Sequence, residues 1–187
     1  FNHITPICKP ISGPLFCSTN LRPLKFSNKF DRGYVDRADR LLSGQYFFFN
    51  SYLCQVGSPP RWRQLNESCH DIHWSAIKID QAFGGEVKKT WELSRFHWMP
   101  ELAAAYAFSK DQKYAKAINN WFSDWSNTNA PNTGVNWVCA QEVSIRLINV
   151  LNTAYLLGVS NATPTDTFIN VISSHCRRVY PSLSYAV

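Results

Sequence analysis

Along the second half of the chain, apolar positions recur with helical spacing; along the first half they do not. The helical pattern opens at about residue 88 with VKKTWELSRFHWMPELAAAYAF and predicts one helix over 88–108. Its Ala-rich second half is a strong helix former, and Pro100 is expected to kink it in the middle. After the turn SKDQ comes a helix over 112–126, on which Tyr114, Ile118, Trp121, Phe122 and Trp125 make one apolar stripe. The breaker-rich NTNAPNTG separates it from a helix over 138–158 that closes on Gly158, a helix-terminating glycine. A fourth helix opens at Thr163, with Pro164 in its first turn and Asp166 three residues on, and stops before Pro181.

Upstream the signals are mixed. Residues 1–30 form an irregular lead-in rich in Pro, Ser and Asn, and 30–42 a short helix. A Gly turn then leads into YFFF, an extended or strand segment, and 57–75 reads as a loop by its Pro pair. Four helices of this length with short connections predict an all-α fold of stacked antiparallel helical hairpins. Repeat arrays, bundles and (α/α) toroids share that local grammar.

The stretch GVNWVCAQEVSIRLINVL, 134–151, departs from an ordinary amphipathic helix. At about 100° per residue, Glu142, Arg146, Asn149 and Thr153 fall in one strip roughly 60° wide. Ala140, Val143, Leu147, Val150, Leu151 and Ala154 lie opposite, with Ile145 and Ile148 on a third flank. Such a seam is either a solvated edge carrying an i,i+4 Glu–Arg pair, worth a few tenths of a kcal/mol, or the lining of a groove with Asn136 and Trp137 at its mouth. On the first helix, Ser94, His97 and Glu101 make a similar narrow strip, and Arg95 falls beside Trp91, Leu102 and Tyr106. An arginine so placed is a packed cation–π side chain or a carboxylate- or sulfate-binding group. A lone His97 reads as a structural hydrogen bonder.

Composition narrows the partners. Of 187 residues, 45% are hydrophobic and only 17% charged, which suits a sizeable core, and the aromatic share of 14% suits flat ligands such as sugars as well as packing. A net charge of +6 favours a polyanion. The basic residues are scattered, Arg37 and Arg40 among them, without the dense run of a nucleic-acid arm, so no nucleic-acid partner is expected. No run of apolar residues is long enough to predict a membrane span. The six cysteines lack C-x-x-C pairs and are read as mostly reduced thiols, Cys139 and Cys176 as small hydrophobes on helix faces. CHDIH, 69–73, offers Cys69, His70 and His73 without a second ligand cluster and is read as a polar loop, so neither metal nor cofactor is expected. NES at 66–68 and NAT at 161–163 fit glycosylation sequons and are read as incidental. With FNHITP at one end and SLSYAV at the other, the chain reads as a piece of a longer protein.

WELSRFHWMPELAAAYAFSKDQKYA followed by NAPNTGVNWVCAQEVSIRLINVL resembles the N-terminal helical region of the heparinase II/III-like family. The matching residues are Trp91, Glu92, Leu93, Arg95, Phe96, Gly134, Val135, Asn136, Trp137, Glu142 and Arg146; ADRLLSGQYFFFN and the HWS at 73–75 fit as well, so the resemblance covers about 36–185. It implies an (α/α) toroid, incomplete here, occupying 31–187 and followed in the family by a β-sandwich. It further implies cleavage of acidic polysaccharides by β-elimination. In that reaction a uronate carboxylate is neutralised, a base takes the C5 proton and an acid assists the leaving sugar. The family's Asn-Asn-His motif follows a segment similar to RRVYPSLSYAV, so the catalytic residues are expected beyond Val187 and no lyase activity is expected of this chain alone. The resemblance also implies a periplasmic or extracellular protein, a cytoplasmic one staying open, and leaves the oligomeric state undetermined.

The residues expected to bind substrate are Arg95, Asn136, Trp137, Glu142 and Arg146. Trp137 would stack on a sugar, the arginines hold acidic groups, and Glu142 orient Arg146. The competing reading makes the Glu–Arg pair a buried brace between helices. Two other functions stay open: a toroid glycoside hydrolase using Glu142 or Glu101, and a non-catalytic helical scaffold or glycan-binding module.

Overall fold

The computed structural model describes residues 8–17, 21–25, 33–62, 69–79, 87–159 and 164–185. The elements are α1 (Gly33–Leu42), β1 (Gln45–Phe48), β2 (Tyr52–Gln55), α2 (Val87–Ser94), α3 (Trp98–Ser109), α4 (Gln112–Thr128), α5 (Ala140–Leu156) and α6 (Asp166–Val179). Short 3-10 turns occupy Trp74–Ala76, Val135–Trp137 and Tyr180–Tyr185. The described residues are mostly helical, and the addition among them to an all-α plan is the antiparallel β1–β2 hairpin, with Phe47 opposite Leu53 and Phe48 opposite Tyr52. The expected start of the last helix at Thr163, and both sequons, lie outside the described residues.

α3 is the centre of the core. It is apolar all round, with Trp98, Met99, Leu102 and Ala103 through Ala107 buried. Its alanines let neighbours approach from several sides, and α1, α4 and α5 all pack on it. The stripe expected on 112–126 forms α4's buried face, where Trp121, Phe122 and Trp125 meet Phe96 and Trp98 in an aromatic cluster.

The helix expected over 88–108 is two helices. They divide at Arg95–His97, where Phe96 takes φ +63. A left-handed non-glycine residue costs about 1–2 kcal/mol. The turn it makes drives the Phe96 ring into the cluster, 4.8 Å from Trp125 and 5.6 Å from Trp98, where full burial is worth about 1.5–3 kcal/mol. Pro100 does not kink the second piece, because it is the third residue of α3, where a missing N–H costs no helical hydrogen bond.

The other boundaries follow local chemistry. Asp111 caps α4 by accepting from Lys113 N. Thr165 caps α6 by accepting from Phe168 N at 3.0 Å. Gly158 follows α5 with φ +68, and a Cβ there would lie 1.7 Å from the Arg22 carbonyl oxygen, so only glycine lets the lead-in pass so close. That lead-in has no helix or strand in 8–17 or 21–25, yet it is packed. Leu15 and Phe16 are core residues, and the Phe16 N–H and carbonyl are both bonded by the Asn119 amide. Cys139 is half-buried at the start of α5 and Cys176 is exposed on α6, so neither is the buried small hydrophobe that the pattern implied.

Candidate functional site

The polar seam of α5 is turned inward. Glu142, Arg146, Asn149 and Thr153 are buried, while Ile148, Leu151 and Tyr155 face outward. The cause is the break between α2 and α3. A helix that stops leaves its last carbonyls without donors, and here they are buried. Arg146 Nε donates to the Ser94 carbonyl at 2.7 Å, and Asn149 Nδ2 to the Arg95 carbonyl at 2.8 Å. Both donors come from the seam. A cation at the C-terminal end of α2 is also favourable to that helix's dipole.

The GVNW turn is held in the same way. Gly134 takes φ +74 to start it. Side chains from three helices then serve four successive carbonyls. Trp91 Nε1 donates to Val135 O at 3.0 Å and Arg146 Nη2 to Asn136 O at 2.7 Å. Arg178 gives Nε to Trp137 O at 2.7 Å and Nη2 to Val138 O at 2.5 Å. Arg178 lies 3.6 Å over the Trp74 ring, and Arg146 lies among the rings of Trp125 at 4.7 Å, Trp137 at 5.4 Å and Phe96 at 5.6 Å. Two buried cations thus rest on carbonyl oxygens and aromatic faces instead of on carboxylates. Desolvation draws the Arg146 pKa down to about 9, against the attraction of Glu142, and the side chain remains a cation at neutral pH.

His175 completes this core. Its Nδ1 lies 2.7 Å from the Val171 carbonyl, which can only accept, so Nδ1 carries the proton. Nε2 then offers its lone pair to Arg146 Nη1 at 3.5 Å. Burial first and Arg146 second push the pKa down to about 3, so the imidazole is neutral.

Glu142 does not pair with Arg146. It holds Arg95 by two bonds, Nε to Oε2 at 2.6 Å and Nη2 to Oε1 at 2.7 Å, while Arg95 Nη1 reaches Glu92 Oε2 at 2.5 Å. These contacts with Glu142 raise the Arg95 pKa despite desolvation. The break at Phe96 separates Arg95 from the helix that carries Leu102 and Tyr106. Glu92 also accepts the Phe49 N–H of the hairpin at 3.2 Å, tying β1–β2 to the helices.

Of the five expected substrate-binding residues, the structure brings all five together around the α2–α3 break, but most are enclosed. Trp137 is 0% exposed, Arg146 1% and Asn136 2%, so Trp137 presents no face to a sugar and Arg146 no free N–H to an acidic group. Only Arg95, with 23% of its side chain exposed, reaches solvent.

An open cleft lies on the other side of His97, between α1, the hairpin and the start of α3. About 160 Å³ in volume, it is lined by Arg37, Arg40, Gln45, Phe47, Asn50, His97, Trp98 and Glu101 among others. Arg37 and Arg40 stand one turn apart on α1. The indole N–H of buried Trp98 has no acceptor among the protein's own groups. Burial holds the Glu101 carboxyl above its ordinary pKa even though Arg37 and Arg40 pull it down. His97 is exposed at the rim, and the surrounding protein lowers its pKa, with Glu92 opposing. Two guanidiniums against one carboxyl slow to ionise leave the cleft with a positive balance that can attract an anion. Sequence reading passed over Arg37 and Arg40 as scattered charges. Their i,i+3 spacing just before the aromatic run YFFFN was the available signal.

Comparison with known families decides the relationship. The family model described as Heparinase II/III N-terminus matches residues 31–180. The chain belongs to this family. Neither the curated proteins nor the solved structures returned a match. Most residues that carried the heparinase II/III resemblance in the sequence, among them Trp91, Glu92, Arg95, Gly134, Asn136, Glu142 and Arg146, are those that join the α2–α3 break to the GVNW turn. No helix among the described residues of this heparinase II/III N-terminal chain is long and apolar enough to cross a membrane. Nor do three or more of its described His, Cys, Asp or Glu side chains converge as for a metal.

Proposed function

We propose that this chain is the N-terminal part of a polysaccharide lyase of the β-eliminating type, forming part of an (α/α) toroid and gripping an acidic group of a uronic-acid-containing glycan. The observation that carries this reading is the cleft in which Arg37 and Arg40, one turn apart on α1, stand beside Glu101. A carboxylate or sulfate accepts from guanidinium groups with good geometry and charge assistance. Glu101, retaining its proton to higher pH than an ordinary carboxyl, would repel such a group less and could donate to it. The reading assigns none of the described residues to removing the C5 proton or assisting the leaving sugar, so binding without cleavage is the expected behaviour.

A toroid glycoside hydrolase fits less well. Both Glu142 oxygens are committed to Arg95, and hydrolysis needs a pair of available carboxyl groups about 5–10 Å apart. A scaffold function has one observation in its favour, the exposed Ile148, Leu151 and Tyr155 along α5.

Titration calorimetry with acidic and neutral oligosaccharides tests the proposal. Acidic ones are expected to bind, neutral ones not, and Arg37→Gln with Arg40→Gln to abolish binding without altering the fold. Equal affinity for neutral sugars would overturn the reading. Release of 4,5-unsaturated product, seen by near-UV absorbance, would overturn the placement of catalysis elsewhere.

A further inference from the structure

The cleft is small for the ligand class assigned to it. Sites that enclose a drug-sized ligand span about 300–1,000 Å³, and about 160 Å³ accommodates little more than one charged sugar. The rest of a glycan must lie on neighbouring surface, and the β1–β2 hairpin forms that border: Gln45, Phe47 and Asn50 line the cleft directly.

Strand alternation sorts the hairpin's side chains. Tyr46 and Phe48 point into the core, and Tyr52 stacks on Phe48 on that same side at 6.1 Å and 13°. Phe47 and Leu53, directly opposite each other in the ladder, point the other way and are each 46% exposed. The cleft reaches Phe47, so the apolar surface begins at the anion site and continues outward through Leu53. The Arg40 guanidinium lies 5.8 Å from the Phe47 ring centroid, joining charge and aromatic surface. The platform is also held in place: the turn at Phe49 and Asn50 has two positive φ values, and Phe49 N–H is bonded to Glu92. A rigid exposed ring beside a cation pair loses little freedom when a ligand settles on it.

From this geometry we infer that the outer face of the hairpin is a second sugar subsite, in which Phe47, flanked by Leu53, stacks on the sugar next to the acidic residue held in the cleft. A pyranose has an apolar C–H face that suits an aromatic ring, and the polar rim of that sugar would meet Gln45 and Asn50. This subsite rests on the anionic-glycan reading above and replaces Trp137 as the stacking residue.

The test uses tetrasaccharides from three uronic-acid polymers (alternating glucuronate and hexosamine with and without sulfate, and polymannuronate) together with each single uronate, by calorimetry on the whole chain. The wild-type protein is expected to bind one tetrasaccharide at least tenfold more tightly than its single uronate. Phe47→Ala with Leu53→Ala, and Phe47→Leu alone, are expected to remove most of that gain while the single uronate still binds. Phe47→Leu keeps apolar area but loses the flat face, which separates stacking from docking of an apolar protein surface. Tyr52→Ala, on the opposite side, is expected to bind as wild type. All these side chains are exposed, and unchanged far-UV circular dichroism controls for folding. A length gain that survives in Phe47→Leu, or falls equally in Tyr52→Ala, overturns the subsite while leaving the anion site standing. Failure of every acidic probe to bind the wild-type chain overturns the reading beneath it as well. Dimerisation abolished by Phe47→Ala would make the face an interface between copies and overturn the proposal.

Discussion

Replacing Arg146 by alanine separates a brace from a binding residue. In the structure its guanidinium supplies the donors for two buried carbonyls, Ser94 O and Asn136 O, each at 2.7 Å. A buried acceptor left without a donor costs about 1–3 kcal/mol. Removing the side chain also opens a cavity among Phe96, Trp125 and Trp137. The expected loss is therefore about 3–5 kcal/mol, a large share of the roughly 5–15 kcal/mol that holds a domain folded. For a chain of this size each kcal/mol moves the melting temperature by about 2–4 °C, so a fall of roughly 10 °C is expected. Arg146→Lys is expected to fall between, since one ammonium replaces a fork that reaches two carbonyls. The assay is urea denaturation followed by near-UV circular dichroism, where the surrounding tryptophans report directly. A loss below about 1 kcal/mol accompanied by weaker glycan binding would refute the brace and restore Arg146 as a groove residue.

Three further outcomes follow from the same geometry. His175 titrates at about 3 when folded, against about 6.5 unfolded. Protonation therefore favours the unfolded chain: stability is full above about pH 6.5 and is lost progressively toward pH 3, about 2 kcal/mol of it by pH 5. His175→Gln should flatten that acid limb in denaturation midpoints measured from pH 7 to 4, and an unchanged limb would rule out His175 as its source. Glu142→Ala leaves Arg95 with Glu92 as its remaining carboxylate and should cost about 2 kcal/mol, less than the roughly 3–5 of a fully enclosed pair because Arg95 is partly exposed and keeps that partner; thermal melts check it. Gly158→Ala drives a Cβ against the Arg22 carbonyl and should cost at least about 2 kcal/mol, with faster amide exchange at Leu24, whose N–H bonds the Leu156 carbonyl; protection equal to wild type would contradict the close approach.

Much of the helical layout was legible from spacing alone, because the stripe of α4, the Ala-rich α3 and Gly158 obey local rules. The split at Phe96 was not, since nothing in SRFHW announces a left-handed residue; the ring's burial in a cluster built by α4 pays for it. The seam of α5 was read correctly as unusual, but whether it lined a groove or braced the helices could not be read from the pattern. Its partners are backbone carbonyls exposed by that same break, and a helical wheel carries no record of a neighbour's orphaned acceptors. Phe16 and Leu15 escaped notice because an irregular segment has no periodicity to betray its burial.

The central claim is a division of labour, with Arg146 and the GVNW turn holding the fold and Arg37 and Arg40 holding the glycan. Calorimetric titration of the tightest acidic tetrasaccharide into Arg40→Gln tests it most directly, with the melting temperature measured on the same sample. Affinity at least tenfold weaker with an unchanged melting temperature is the predicted result. Wild-type affinity in Arg40→Gln would contradict it.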